Sequence, residues 1–377
     1  MFLKDCLGLI QPCWAFCYFW PMTKARNLLR LNFSAFNSAW FLNYAYTQLR
    51  EGWVITGWKK DILYFMIDWL SGGADMVSTT SGSTGNPKTI TINKEFVKKS
   101  ANTTCDFFDL KKGDVALLCL PVKYIAGKLM VVRAMERHLN LYCVEPSLTP
   151  DFEETHIDFA AMTPAQVASL LETEKGLKLL ERIKILIIGG DAIPGSLEAK
   201  LQALPTQIWH TYGMTETITH IALRSVNGKR PSSAFTSLPG VTVSLAEDES
   251  LVIDAPEIGV RSMKTNDIAE INKDGSFFIK GRKDNVLISG GIKIFPEQVE
   301  RSVATVCKHP FYITGVDDEK LGTKLVMVVE GDKDIDTAQL LTEIRKVVDR
   351  YRVPKQIVVQ PTLKRTGSGK IIRQPLF

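Results

Sequence analysis

A layered α/β domain with a small β-rich subdomain, followed by a compact α+β domain, is the fold class this sequence predicts. Three observations carry that expectation. Between Asp114 and His210 short apolar runs alternate with amphipathic ones, the pattern of a sheet with helices on both faces. One of these runs, 183–188, is continuously apolar and stops at Gly189-Gly190, as a central parallel strand does. After Arg224 the texture changes to short strands and turns, and it changes again after Asp284. A chain of 377 residues is also long for one core, so two domains are expected.

Taken in order, residues 23–70 read as helical, with apolar residues at helical spacing and a break at Ser71-Gly72-Gly73. Met76-Val77 and 90–92 suit the two strands of a hairpin, and 94–108 reads as a helix. The βα alternation then predicts strands at 115–120, 139–144, 157–162, 183–188 and 207–210. Helices are predicted over 125–138, from Pro164 with Thr163 as N-cap, and over 194–204. Short strands are predicted at 241–245, 251–253, 268–271 and 277–279, the last two joined by an Asp274-Gly275 turn. From Asp284 the order is strand, helix (296–306), strand, strand (324–329), helix (337–351) and a final strand.

Composition excludes several classes. Hydrophobic residues make up 45% and charged residues 23%, as in an ordinary globular protein. The net charge of +5 is dispersed rather than gathered into a stripe, so no nucleic-acid partner is expected. Seven cysteines and five histidines form no C-x-x-C pair and no metal-ligand spacing, which points to free thiols in a reducing, cytoplasmic setting. Residues 1–21 stand apart. The apolar, aromatic stretch from Cys6 to Trp20 is interrupted by Gln11-Pro12 and is too short to span a bilayer. Met22 opens a more ordinary sequence, so a start assigned too early is one reading of this leader. A buried N-terminal helix and a membrane anchor are the others, and no stable membrane association is expected.

The most informative stretch is Thr79-Thr80-Ser81-Gly82-Ser83-Thr84-Gly85-Asn86-Pro87-Lys88. Gly82 and Gly85 let successive backbone N–H groups turn toward one point, the hydroxyls add donors, and Lys88 adds a mobile cation. That combination suits a polyphosphate, although the spacing is not that of a Walker A loop. A flexible Ser/Gly linker is the plain alternative, but linkers seldom end in Pro-Lys before a β-branched run.

Four further stretches, in order, make the chain similar to the adenylate-forming superfamily of acyl-CoA ligases, luciferases and peptide-synthetase adenylation domains. They are Tyr212-Gly213-Met214-Thr215-Glu216-Thr217, then Thr265-Asn266-Asp267, then Gly281-Arg282-Lys283-Asp284 with Ser289-Gly290-Gly291-Ile292-Lys293, and last Lys364-Arg365-Thr366-Gly367-Ser368-Gly369-Lys370. With the opening loop, the resemblance covers about residues 76–377. It implies a domain of residues 22–283 that binds ATP and the acid, a mobile domain of residues 284–377, and a hinge at Asp284. ATP would be held by Thr80, Ser81, Gly82, Ser83, Thr84, Gly85 and Lys88 around its phosphates. Tyr212 would stack on adenine against a wall of Gly189, Gly190 and Asp191, with Gly213 and Thr215 beside it. Asp267 would accept from the ribose hydroxyls, and Arg282 would add a donor to the ribose or phosphate region. Glu216 would hold Mg²⁺, which takes one or two carboxylates plus phosphate oxygens. Lys370 would contact the substrate carboxylate and the α-phosphate. Gly290, Gly291 and Lys293 would line a tunnel for coenzyme A. Asn266 stands where the family has glycine, a change that a left-handed backbone would tolerate.

Two features narrow the resemblance. Only 78 residues precede Thr79, where most relatives carry far more, and Leu120-Pro121-Val122-Lys123-Tyr124-Ile125-Ala126-Gly127-Lys128 occupies the place of the family's Pro-x-x-His-x-x-Gly segment. Both resemble the compact bacterial o-succinylbenzoate–CoA ligases of menaquinone biosynthesis. The implied reaction makes an acyl adenylate and then a CoA thioester. Another acyl- or aryl-CoA ligase and a nucleotide-binding protein without turnover are the rival readings. The acyl pocket would be lined by Tyr124, Lys128, Thr163, Thr219 and His220, whose polar groups suit an acid with a second carboxylate. Oligomeric state is left open.

Overall fold

The computed structural model describes residues 28–35, 37–50, 57–79, 89–332, 334–365, 371–374 and 376. The chain begins with β1 (Leu28–Asn32), α1 (Ser38–Arg50) and α2 (Trp58–Leu70), then the hairpin β2 (Asp75–Thr79) and β3 (Thr89–Asn93). There follow α3 (Lys94–Phe107), β4 (Val115–Leu118), α4 (Ile125–Arg137), β5 (Asn140–Val144), β6 (Ile157–Met162), α5 (Pro164–Leu170) and α6 (Glu174–Glu181). Next are β7 (Ile183–Ile188), α7 (Gly195–Leu201), β8 (Gln207–Gly213), β9 (His220–Ser225) and β10 (Thr236–Ser237). A small sheet comprises β11 (Thr242–Leu245), β12 (Ser250–Ala255), β13 (Val260–Ile271) and β14 (Phe277–Arg282). The last part holds β15 (Leu287–Ser289), β16 (Ile292–Ile294), α8 (Pro296–Val303), β17 (Phe311–Asp318), β18 (Gly322–Glu330), α9 (Thr337–Val347) and β19 (Gln356–Gln360).

Side-chain alternation explains the main sheet, whose order is β1-β5-β4-β6-β7-β8-β9-β10. Strands β5, β4, β6, β7 and β8 are parallel, and β1, β9 and β10 are antiparallel additions at the edges. Ala116, Leu118, Leu141, Cys143, Phe159, Ala161, Ile185 and Ile187 share one core with α1–α4. Their neighbours Leu117, Tyr142, Val144, Ala160, Met162, Leu186 and Ile188 share the other core with α5–α7. A period of two with both faces apolar is what a doubly covered parallel sheet requires. The expected helices on both faces are therefore present.

Local chemistry sets the joins that matter for the site. The Asn93 side chain caps α3 by accepting from the Glu95 N–H, so the helix starts directly where β3 ends. The buried Lys94 ammonium donates to the carbonyls of Asp68, Trp69 and Gly72 at 2.9, 3.1 and 3.1 Å. It satisfies the C-terminal end of α2 and ties it to the hairpin. Thr163 caps α5 in a reciprocal box with Gln166.

Three expectations need correction. Residues 28–32 were expected to be helical but form β1, which pairs with β5 from Leu28 opposite Val144 to Asn32 opposite Asn140. The open edge of β5 supplies hydrogen bonds and Leu31 gains full burial, so tertiary pairing outweighs a leucine-rich helical preference. The strand expected at 207–210 runs on to Gly213, and the one expected at 268–271 begins at Val260. In consequence Asn266 lies inside β13 without a positive φ, so its place where the family has glycine draws on no left-handed tolerance.

The C-terminal α+β domain has its own core of Ile294, Val299, Val303, Ile313, Leu325, Met327, Val329 and Ile344. Its sheet places β18 between antiparallel β17 and parallel β19. Helix α8 packs against β14 of the large domain, where a Cβ on Gly281 would lie 2.4 Å from a Glu297 carboxylate oxygen. Residues 1–27, which include the aromatic leader, lie outside the described residues. Among the described residues no helix is long and apolar enough to cross a membrane.

Candidate active site

The site is built at the ends of β7 and β8. Register places Ile188 opposite His210, so Gly189-Gly190-Asp191 leaves the sheet beside Thr211 and Tyr212. A Cβ on Gly189 would sit 2.2 Å from Thr211 Oγ1, and Gly190 has a φ of +86°. Both positions require glycine for this approach. The Tyr212 hydroxyl donates to Asp267 Oδ2 at 2.7 Å. Burial, then the Asp267 charge, pushes that hydroxyl's pKa up, so it stays a proton donor. The Tyr212 ring rests on Phe235 and Phe277, with centroids 5.7 and 5.5 Å away. Asp267 lies opposite Arg282 in the β13–β14 ladder, with 3.6 Å between guanidinium and carboxylate, and its backbone N–H donates to Thr265 Oγ1 at 3.1 Å. An ionised carboxylate has about four acceptor positions, so Asp267 can still accept from a ligand's hydroxyls.

Past Gly213 the backbone turns tightly. Thr217 Oγ1 accepts from the Met214 N–H at 3.0 Å and donates to the Thr219 carbonyl at 2.8 Å. Ile218 has φ 67° and ψ −54°, and the Thr219 N–H donates to the Thr217 carbonyl at 2.7 Å, a γ-turn. A β-branched residue in that conformation is strained by about 1–3 kcal/mol, and such strain gathers at functional sites. A Cβ at Gly213 would meet the Thr219 carbonyl oxygen at 2.3 Å and His220 Cα at 2.5 Å, so only glycine closes this turn. Thr215 is half-buried and the Glu216 carboxylate is exposed at the tip. No group of three or more metal-ligating side chains occurs among the described residues. One free carboxylate fits a Mg²⁺ that arrives on a nucleotide with its phosphate oxygens as further ligands.

On the far side of this turn the residues expected to line an acyl pocket divide. Thr219 and His220 meet. Thr219 Oγ1 lies 3.3 Å from His220 Nδ1, and Thr104 Oγ1 lies 3.3 Å from Nε2. Between them sits Arg133 of α4, only 2% exposed, which donates to Thr219 at 3.1 Å and to Thr104 at 3.4 Å. Its remaining partner is the Met130 sulfur, and its Nε has none. Burial lowers the Arg133 pKa to about 10, so it is still charged at neutral pH. Burial first, and Arg133 second, hold His220 well below the usual histidine range, which keeps the imidazole neutral. Among the described residues the cluster therefore carries one positive charge and no carboxylate.

The other expected pocket residues are engaged elsewhere. Lys128 donates to the Val77 carbonyl and lies over the Phe65 ring, 5.5 Å from its centroid. Tyr124 bridges to Thr79 at the end of β2, and Gly127 is forced by the Pro121 carbonyl, 2.3 Å from where its Cβ would be. Thr163 spends its hydroxyl on the α5 cap.

At the junction of the domains, Asn266 Nδ2 donates to the Asp284 carboxylate, and the Arg282 guanidinium lies 4.0 Å from it. Gly290 and Gly291 take positive φ in the turn between β15 and β16, and Lys293 pairs with Glu249 at 2.7 Å. Thr80, Ser81, Gly82, Ser83, Thr84, Gly85 and Lys88 lie outside the described residues, as does Lys370. Their neighbours are placed: the β2–β3 hairpin for the first group, and for the second a bridge between Arg365 and Ile371. Arg373 makes two bonds to Glu300, of 2.7 and 2.9 Å, and Arg365 is paired with Glu330 at 2.7 Å.

Sequence reasoning missed Arg133. The available signal was an arginine inside Leu129–Val132 and Ala134, an apolar stretch whose only role would otherwise be core packing.

Comparison with known proteins agrees with this geometry. Residues 76–260 match the family model described as AMP-binding enzyme. An acyl-CoA synthetase (AMP-forming)/AMP-acid ligase II-like protein from Dyadobacter fermentans is 33% identical, covering 91% of this chain and 97% of its own, with a TM-score of 0.61. The chain belongs to the AMP-binding family of adenylate-forming enzymes. Among curated relatives, a 2-succinylbenzoate–CoA ligase from Listeria monocytogenes is 26% identical over 332 residues, 82% of this chain and 70% of that protein. The fold is shared with the o-succinylbenzoate coenzyme A synthetase of Bacillus subtilis in complex with ATP and magnesium ion, at 18% identity and a TM-score of 0.68. That match covers 91% of this chain and 82% of the other.

Proposed function

We propose that this protein is an AMP-forming acid–thiol ligase that joins o-succinylbenzoate to coenzyme A. In the first half-reaction a carboxylate oxygen of the acid attacks the α-phosphorus of ATP, the bond to the bridging oxygen breaks, and pyrophosphate leaves. In this reading Thr80–Gly85 and Lys88 act on the outer phosphates, Lys370 acts on the acid and the α-phosphate, Asp267 holds the ribose, Arg282 adds a donor to the ribose or phosphate region, and Tyr212 stacks on the base. Glu216 would hold a Mg²⁺, which when bound would help neutralise charge at the phosphates. Groups already aimed at developing charge need no reorganisation during reaction, which makes them effective. The small domain then turns about Asp284, bringing Gly290, Gly291 and Lys293 to the pantetheine. The thiol sulfur attacks the acyl carbon and AMP departs, so no side chain of the enzyme is acylated. Cys105, Cys119, Cys143 and Cys307 are all buried, in keeping with a reaction that does not use them.

Arg133 is the observation that carries the choice of acid. Among the described residues this buried guanidinium meets hydroxyls, a thioether, a neutral imidazole and the buried, neutral Cys105 thiol but no carboxylate, and such an uncompensated charge is costly. A substrate with a second carboxylate supplies the missing partner, and a fatty acid does not. We assign Arg133, with Thr104, Thr219 and His220, to the spectator carboxylate. Lys128, held by the Val77 carbonyl and the Phe65 ring, is not assigned to the spectator carboxylate. The test is kcat/KM for o-succinylbenzoate, benzoate and octanoate in the presence of ATP and coenzyme A. The proposal requires o-succinylbenzoate to be the best of the three. A better rate with benzoate or octanoate would leave only the general ligase reading.

A further inference from the structure

We infer that His210 is a positioning residue, which holds the Gly189-Gly190-Asp191 wall in place by fixing the Asp191 carbonyl. His210 lies in β8, two residues before Tyr212, and is 7% exposed. Its two ring nitrogens have different partners. Nδ1 accepts from Arg224 Nε at 3.1 Å, so it carries no proton. Nε2 must then carry the hydrogen, and it donates to the Asp191 carbonyl at 3.0 Å. One tautomer is thereby selected by an arginine that cannot act as acceptor.

Arg224 is itself clamped. Its two terminal nitrogens meet both oxygens of Glu198 on α7 at 2.7 and 2.8 Å, and one of them also donates to the Ser232 carbonyl at 3.1 Å. The groups facing His210 are Arg224 from β9, Glu198 from α7, Arg301 from α8, the Phe235 ring at 5.2 Å, and the Asp191 carbonyl. Burial first, then the charge of Arg224, lowers the His210 pKa to about 4, so the neutral tautomer persists across the neutral range. Apart from the Gly189 N–H, which donates to the Met162 carbonyl at 3.1 Å, and the buried Ile193, few contacts among the described residues fix the turn it holds. Gly190 is at positive φ, Asp191 is exposed, and the Asp191 side chain bonds only the next N–H, of Ala192, at 2.9 Å.

The inference rests on the reading of this wall as the adenine site, and the experiment separates the two. ATP affinity, with Mg²⁺ present, is measured by calorimetry on the full chain for the parent, His210→Leu and His210→Gln, with inorganic tripolyphosphate as a second probe. Losing both bonds in the leucine variant should weaken ATP binding about tenfold. Tripolyphosphate, which has no base, should bind as before. Glutamine can donate to Asp191 and accept from Arg224, so its ATP affinity should stay within about threefold of the parent. If the leucine protein does not fold, His210→Asn, too short to reach both partners, carries the same expectation. Unchanged ATP affinity in the leucine or asparagine variant, or equal weakening of both probes, overturns the inference alone. A parent protein that does not bind ATP overturns the adenine-site reading with it.

Discussion

Replacing Arg133 with methionine removes a buried charge and keeps most of the side-chain volume. The folded-state pKa of Arg133 is lowered from its ordinary 12.5 to about 10, mainly by burial. The charged form is therefore the penalised one at every pH below about 10, including pH 7. A displacement of that size corresponds to something on the order of 3 kcal/mol against the charge. Removing it should leave the unliganded protein as stable as before or more so, because among the described residues its hydrogen-bond partners are two hydroxyls and a thioether. Turnover should move the other way. A charge-assisted hydrogen bond to a substrate carboxylate is worth roughly 1.5–3 kcal/mol, so kcat/KM for o-succinylbenzoate should fall about tenfold or more. The value for benzoate, which has no spectator carboxylate, should change far less. The assays are thermal unfolding without ligand and AMP release with each acid. A marked loss of stability with equal loss for both acids would refute the reasoning, since Arg133 would then be a structural residue.

Three other outcomes are expected. Glu216→Gln should depress ATP-dependent turnover severely, with partial recovery at excess Mg²⁺; an unchanged metal dependence would place the metal elsewhere. Lys370→Ala should abolish adenylate formation but spare thioester formation from supplied acyl adenylate, and equal loss in both steps would count against alternation of the small domain. The pH dependence of stability follows from the buried histidines, whose folded-state values are depressed, to about 4 for His210 and well below the usual range for His220, chiefly by burial. The unfolded chain takes up these protons first, so urea stability should fall as pH drops from about 6.5 toward 4. The slope should approach about 1.4 kcal/mol per pH unit for each histidine, and His210→Gln should reduce it.

The sheet was legible because its strands have only one arrangement that buries both faces. The runs 157–162 and 183–188 were placed to the residue. Thr163 before Pro164 announced its own cap. What failed had a tertiary cause. Leu28–Asn32 is a strand because β5 offers it an edge, and nothing in its own residues says so. Site residues that act through backbone, such as Gly189, Gly213 and Gly281, were visible as glycines, while the atoms that exclude a Cβ there were not. Arg133, Thr104 and His220 lie far apart in sequence and gain meaning only when α3, α4 and β9 converge. His210 was read as the end of a strand, and only its two bonds reveal which nitrogen holds the proton.

The most direct measurement is the stoichiometry of the whole reaction. Purified protein is incubated with ATP, Mg²⁺, o-succinylbenzoate and coenzyme A, and nucleotides and thioesters are separated and quantified. The account predicts one AMP, one pyrophosphate and one o-succinylbenzoyl-CoA for each ATP consumed, with no thioester when any one component is omitted. ADP in place of AMP, or ATP left intact while the protein binds it, would contradict it.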